Sequence, residues 1–126
     1  MYKINIIFDQ YSFQAELNDG PTSKEIWDQL PIEARVNTWG EEIYFEIPVD
    51  MPQEPGAREI LAVGELAYWP VGKAFCIFFG PTPVSKDERP RAYSPVNIIG
   101  KIIGDCTVLK SIQDQSKIRL EKLVPS

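Results

Sequence analysis

Three groups of residues carry side chains that could do chemistry. The first is Glu42, Tyr44 and Glu46, which alternate with Ile43, Phe45 and Ile47 inside the segment NTWGEEIYFEIPV. A spacing of two puts the polar three on one face of a strand and the apolar three on the other. Paired carboxylates on such a face could serve as acid and base where burial separates their pKa values. An ordinary solvated strand face would show the same row. The second group is aromatic: Trp39, Tyr44, Trp69 and Phe79. Trp and Tyr join a large apolar area to a hydrogen-bonding tip, which suits a groove for a small molecule or a peptide. Core packing would account for one or two of them equally well. The third group, Thr82, Ser94 and Asn97, could anchor a ligand's polar atoms or simply shape turns. We therefore expect a groove bounded by Trp39, Glu42, Tyr44 and Trp69, with Phe79, Arg91 and Ser94 beside it. The stretch Gly80–Tyr93 would be its movable wall. Arg89 and Arg91 would bring positive charge to an acidic face, so the ligand would have a flat or apolar body and a polar or anionic end.

Several chemistries are excluded by composition. The chain has no histidine, which removes His-dependent triads and His-containing zinc sites. Cys76 and Cys106 stand 30 residues apart without a C-x-x-C pair, so no metal or redox motif is present and both thiols are expected reduced. Cys76 lies within the apolar run Ala74–Phe79 and reads as a small buried hydrophobe. No cofactor motif appears. A net charge of −5 argues against nucleic-acid partners, which require a basic footprint. The mixed-sign run Lys86–Arg91 reads as a solvated loop. Charged Lys3 and Asp9 flank a first apolar run too short for a signal peptide, and nothing approaches the ~20 apolar residues of a membrane helix. The expectation is a soluble, cytoplasmic protein with no membrane partner. Oligomeric state leaves no recognisable mark.

The elements that must position these residues are mostly strands. The 126 residues fit one domain, 1–126, and 11 prolines disfavour a helical fold. Tyr2, Ile4, Ile6 and Phe8 alternate with polar neighbours, as do Phe13, Ala15 and Leu17 after a turn, so the two runs predict a hairpin. Thr22 and Glu25 have the spacing of a capping box, predicting a helix over 22–30 with Ile26, Trp27 and Leu30 inward and Pro31 as its stop. Trp39-Gly40 predicts a turn into the strand of Glu42–Ile47. Leu66–Trp69 reads as a strand, Phe75–Phe79 as a strand covered on both sides, Val96–Ile103 as another, and Lys117–Val124 as the last. Gly104-Asp105 offers a cap for a second short helix over 106–112. About eight strands and two helices sharing one core predict a closed barrel, which hides sheet edges.

Particular segments also carry a resemblance. VNIIGKIIGDCTVLKSI, AFCIFF and YFEIP occur in the order of similar segments in cyclophilins. NTWGEEIYFEIPV, GELAYWPVGKAFCIFFGPTP and SPVNIIGKI resemble the signature segments of the small prokaryotic cyclophilin-like proteins of uncharacterised function, over nearly the whole chain. This resemblance implies a closed eight-stranded barrel with two short capping helices and an active groove on its outer face. Carried over by position, the catalytic arginine of cyclophilins falls on Phe45 or Glu46. The active-site phenylalanine falls on Cys76, and the groove tryptophan and histidine fall on Arg91 and Val96. The Gln-Gly-Gly segment is missing. Isomerising an X–Pro bond means lowering a barrier near ~20 kcal/mol with a donor aimed at the breaking conjugation, and Glu46 is an acceptor. Two function classes follow: a module that binds a small molecule or extended peptide on the outer face, or an enzyme. The enzyme would be a divergent prolyl isomerase or a carboxylate-dependent catalyst using Glu42 or Glu46.

Overall fold

Alternation decides which residues meet in the interior. In the computed structural model, which describes residues 1–123, β1 (Tyr2–Ile7) and β2 (Ser12–Leu17) form the expected hairpin, with Ile4 opposite Ala15 and Ile6 opposite Phe13. These residues enter one core together with Phe8, Leu17 and, from β5 (Glu42–Glu46), Ile43 and Phe45. The remaining strands are β3 (Ile32–Arg35), β4 (Asn37–Thr38), β6 (Arg58–Ile60), β7 (Glu65–Trp69), β8 (Ala74–Phe78), β9 (Arg91–Ile102) and β10 (Lys117–Lys122). Val124, included in the last strand by its sequence, lies outside the described residues.

The sheet has ten strands and is open, where the sequence predicts eight and a closed barrel. Its hydrogen-bonded order is β3-β10-β1-β2-β9-β7-β8-β5-β4, with β6 pairing off this path to β9. The two ends of that order, β3 and β4, are consecutive in the chain and separated only by Val36. A strand and its own continuation cannot pair with each other, so the ladder stops there. Val36 itself is fully buried and carries the β3–β10 ladder one residue further: its N–H donates to Ser116 O at 2.9 Å and its carbonyl accepts from Gln115 N at 2.8 Å.

One α-helix, α1 (Pro21–Gln29), packs Ile26 and Leu30 into the core, while Trp27 is half-buried against Tyr2 with ring centroids 5.0 Å apart. The predicted capping box does not form. Proline is well suited to the first helical position, and Pro21 starts the helix with Gly20 as the cap residue. Thr22 is therefore already inside the first turn. Its N–H is satisfied instead by the carboxylate of Glu54 at 3.3 Å, which also accepts from the Thr22 hydroxyl. A negative charge there also complements the helix dipole. Asn97, 1% exposed, ties the same corner: its side chain donates to Thr22 Oγ1 (3.2 Å) and Pro52 O (3.0 Å) and accepts from Glu54 N (2.8 Å). It is a structural residue, not a ligand anchor. The second expected helix is a single 3-10 stretch, Thr107–Ser111, capped by Asp105 at the Thr107 N–H (2.8 Å). Five residues are too few to propagate an α-helix alone.

Glu54→Ala should cost about 1 kcal/mol of stability, as loss of a helix cap does, and lower Tm by about 4 °C. Glu25→Ala should change stability by less than about 0.5 kcal/mol, since Glu25 is exposed. Urea unfolding of the two variants checks this. Equal losses would restore the capping box.

Candidate functional site

β8 is buried along its whole length and has two different neighbours. Phe75, Ile77 and the following Phe79 face the main core; Ala74, Cys76 and Phe78 face outward into a second apolar cluster with Leu61, Ala67, Ala92 and Val96. The outer face of the sheet is therefore covered. The cover comes from β9, whose first half leaves the main sheet and pairs with β6, Arg58 opposite Val96 and Ile60 opposite Arg91. Its second half pairs with β7, Tyr68 opposite Asn97.

The cover leaves a cavity of about 250 Å³. Its position follows from side-chain size. Across the outer face, Tyr44 is paired with Cys76, and Cys76 with Ala67. Small residues in the middle of that row, with Trp69 and Tyr44 beside them, make a depression. Ala92, Tyr93 and Val96 of β9 close one side and Trp39 another. Of the residues singled out in the sequence, the structure brings together Trp39, Glu42, Tyr44 and Trp69. Phe79 is not with them, since its parity along the chain is that of Phe75 and Ile77 and it packs inward, 7% exposed. Ser94 stands behind the wall, where its hydroxyl accepts from Trp69 Nε1 at 2.7 Å. Arg91 pairs with Glu59 at 3.1 Å and Arg89 with Asp87 at 2.7 Å, so neither offers a free charge to an anion in the cavity.

The wall expected from Gly80–Tyr93 is instead the beginning of β9. No residue of 80–90 lines the cavity. That stretch is tied to itself and its neighbours: Thr82 N–H donates to Ser85 Oγ (2.9 Å), Thr82 Oγ1 to Arg91 O (2.5 Å) and Ser85 Oγ to Arg89 O (2.8 Å). It also buttresses the β4–β5 turn, where Glu41 N–H donates to Pro81 O at 2.9 Å. Gly40 heads this two-residue turn with φ 59°, and a Cβ there would come within 2.9 Å of Thr82 Cα. Both the turn and the contact demand glycine. Sequence reasoning missed Ala92 and Tyr93, and of these Tyr93 has the side chain that could act on a ligand. It is 72% exposed and stands between the two tryptophans, edge-on to Trp39 (6.2 Å, 71°) and to Trp69 (6.3 Å, 79°). Its loop-end position concealed it, since only the early start of β9 brings it to the cavity.

Electrostatically the cavity is dominated by Glu42. It is 6% exposed, and no lysine or arginine of the described residues forms an ion pair with it. Burial pushes its carboxyl up to about 7, and the neighbouring Cys76 thiol acts the other way. Burial likewise pushes the Cys76 thiol well up, helped by the neighbouring Glu42 charge, so Cys76 stays protonated. Both cysteines are free. The described residues contain no cluster of acidic, Cys or His side chains able to hold a metal. The cavity can therefore receive apolar or aromatic groups and exchange one proton near neutral pH.

A family model described as cyclophilin-like matches residues 2–121. The chain belongs to the cyclophilin-like family. Among solved structures, this cyclophilin-like chain is similar to the solution structure of a hypothetical protein from Archaeoglobus fulgidus, with 37% identity and a TM-score of 0.83 over 97% of this chain and 95% of that one. No curated protein matches. No helix among the described residues is long and apolar enough to cross a membrane. Of the positions carried over from cyclophilins, Cys76 and Val96 line the cavity of this cyclophilin-like protein, Phe45 is in the core, and Glu46 is exposed. No arginine lines the cavity.

Two outcomes follow. Keeping Glu42 ionised costs folding energy, because its carboxyl binds a proton more tightly folded than unfolded. The penalty is absent below the ordinary value of 4.5, grows to about pH 7, and is constant above. Glu42→Gln should therefore be more stable than the natural protein at about pH 8, by on the order of 3 kcal/mol, and the gain should vanish below about pH 4.5. Urea unfolding across pH reads it; a gain independent of pH would show that Glu42 is not the titrating group. Gly72 lies against the Trp69 ring, where a Cβ would meet ring carbons at 2.6 Å. Gly72→Ala should thus displace Trp69 and alter tryptophan fluorescence and near-UV dichroism, while far-UV dichroism stays unchanged.

Proposed function

We propose that this protein is a binding module that holds a small molecule, or one side chain of an extended peptide, in the outer-face cavity. The observation that carries the reading is the cavity's composition: aromatic and small apolar walls around a single buried carboxyl. Ligand sites combine a mostly apolar lining with very few placed polar groups in this way. At about 250 Å³ the space is just under the ~300 Å³ where pockets for drug-sized ligands begin, which favours a compact occupant. Prolyl isomerase chemistry of the usual kind has no support here. Cyclophilins aim an arginine at the twisting amide, and no arginine lines this cavity. A cytoplasmic setting accords with two unpaired cysteines.

A second reading is favoured by one observation. A carboxyl that titrates near 7 is poised for general acid–base work at physiological pH. On that reading Glu42 is the proton carrier of a carboxylate-dependent enzyme, and turnover would follow its ionisation.

A thermal-shift screen of metabolites, run beside a proline-peptide isomerisation assay, separates the readings. We expect some compounds to raise Tm without turnover, as binding to the folded state must. Tyr44→Ala should weaken that binding by about 2 kcal/mol, roughly thirty-fold, and cost the free protein little because Tyr44 is only half-buried. Turnover above the uncatalysed rate, of the proline peptide or of a compound found in the screen, would select the enzyme. Ligands that stabilise Tyr44→Ala as well as the natural protein would place binding elsewhere.

A further inference from the structure

We propose that the cavity selects organic cations, an alkylated ammonium seating among Trp39, Trp69 and Tyr93 with its charge against the carboxylate of Glu42. The inference rests on the binding reading above and names its ligand class. Three features carry it. Trp39, Tyr93 and Trp69 all line the cavity, and Tyr93 meets the two tryptophans edge-on at 71° and 79° with centroids 6.2 and 6.3 Å apart, stacked on neither. Three aromatic walls around one space offer π-faces to a cation, and alkylated ammonium ions are the cations that aromatic cages recognise. The indole N–H of Trp69 is already committed to Ser94 Oγ at 2.7 Å, leaving that ring to act as an apolar wall and not as a donor.

The second feature is the unpaired acid. Glu42 is 6% exposed and has no cationic partner among the described residues. A buried carboxylate left so is costly unless a positive charge arrives. The third is the fate of the cations that might have served an anion instead. Arg91 is held by Glu59 and Arg89 by Asp87, and Lys110 is 3.6 Å from Glu41 Oε2. These pairs leave neither arginine free for the anionic end that the sequence reading allowed beside a polar one.

Proton linkage follows. The titratable groups lining the cavity with Glu42 are Tyr44 on its own strand, Cys76 on β8 and Tyr93 on β9; the β4–β5 turn and β7 present Trp39 and Trp69, which do not titrate. Burial keeps Cys76 protonated. A cation binds the charged form of Glu42, so its affinity should rise with pH through about 7 and level off above.

The probes are choline, its neutral carbon isostere neohexanol, and the anion tert-butylacetate, titrated by calorimetry into the natural protein and Glu42→Gln at about pH 8 and about pH 5. We expect choline to bind the natural protein about tenfold tighter than neohexanol at the higher pH. That preference should shrink several-fold at the lower pH and in Glu42→Gln, where only the aromatic walls still favour the charge. Neohexanol or tert-butylacetate binding as tightly as choline at the higher pH overturns cation selection and leaves the binding reading standing. Choline affinity unchanged by pH and by Glu42→Gln overturns the role of Glu42. If no probe binds, cation selection falls. The binding reading falls separately, only if the metabolite screen also yields no Tyr44-dependent ligand.

Discussion

A strand with apolar residues on both faces needs two apolar layers, and β8 sets that requirement for the whole molecule. Phe75, Ile77 and Phe79 are covered by the main core; Ala74, Cys76 and Phe78 require a second cover outside it. That cover is supplied by the long β9, which spends its second half in the main sheet and its first half over the outer face with β6. A cover made of two short strand segments cannot fill the space above small residues such as Cys76 and Ala67. The cavity is the consequence. It arises where the sheet's outer layer is thinnest, beside the large rings of Trp69 and Tyr44.

Placing a carboxyl in that gap runs against stability. An apolar residue at position 42 would extend the outer cluster, whereas Glu42 must give up hydration to sit there, and its proton affinity rises accordingly. Residues that cost folding energy in this way are characteristically found at sites that use them. The surroundings are consistent with such a use: Ser94 and Gly72 fix the Trp69 ring, and Gly40 with the 81–83 backbone fixes the turn that carries Trp39 and Glu42. Cavity walls are thus held by groups outside the cavity.

Much of this was legible in the sequence where periodicity alone decides. The parity of Ile43 and Phe45 against Glu42 and Tyr44 gives the inner and outer faces of β5, and the continuous run at β8 announces cover on both sides. The resemblance of three signature segments gives the family. What escaped reading depended on long-range pairing. Pro95, which cannot donate to a ladder, interrupts the pattern and hides the first half of β9, and with it Ala92 and Tyr93. Ile32, Ala34 and Val36 do alternate with Glu33 and Arg35, but the run is short and lies between Pro31 and the next turn. The seam between β3 and β4, which leaves the sheet open, therefore stayed out of sight. The capping of Thr22 by Glu54 joins residues 32 apart, beyond any local rule. Glu42 was visible as a polar residue on an outer face; that this face is buried was not.

The protonation behaviour of Glu42 tests the central claim most directly, because it depends at once on the cover over the outer face, the gap beneath it and the absence of a cationic partner. Carbon-13 NMR of the Glu42 side-chain carboxyl, assigned by comparison with Glu42→Gln and followed across pH in the free protein, reports it. A midpoint near 7 is the result expected of a buried, unpaired acid facing the cavity. A midpoint near the ordinary carboxylate value of 4.5 would mean that Glu42 is solvated or paired, and would contradict both the covered outer face and the site built on it.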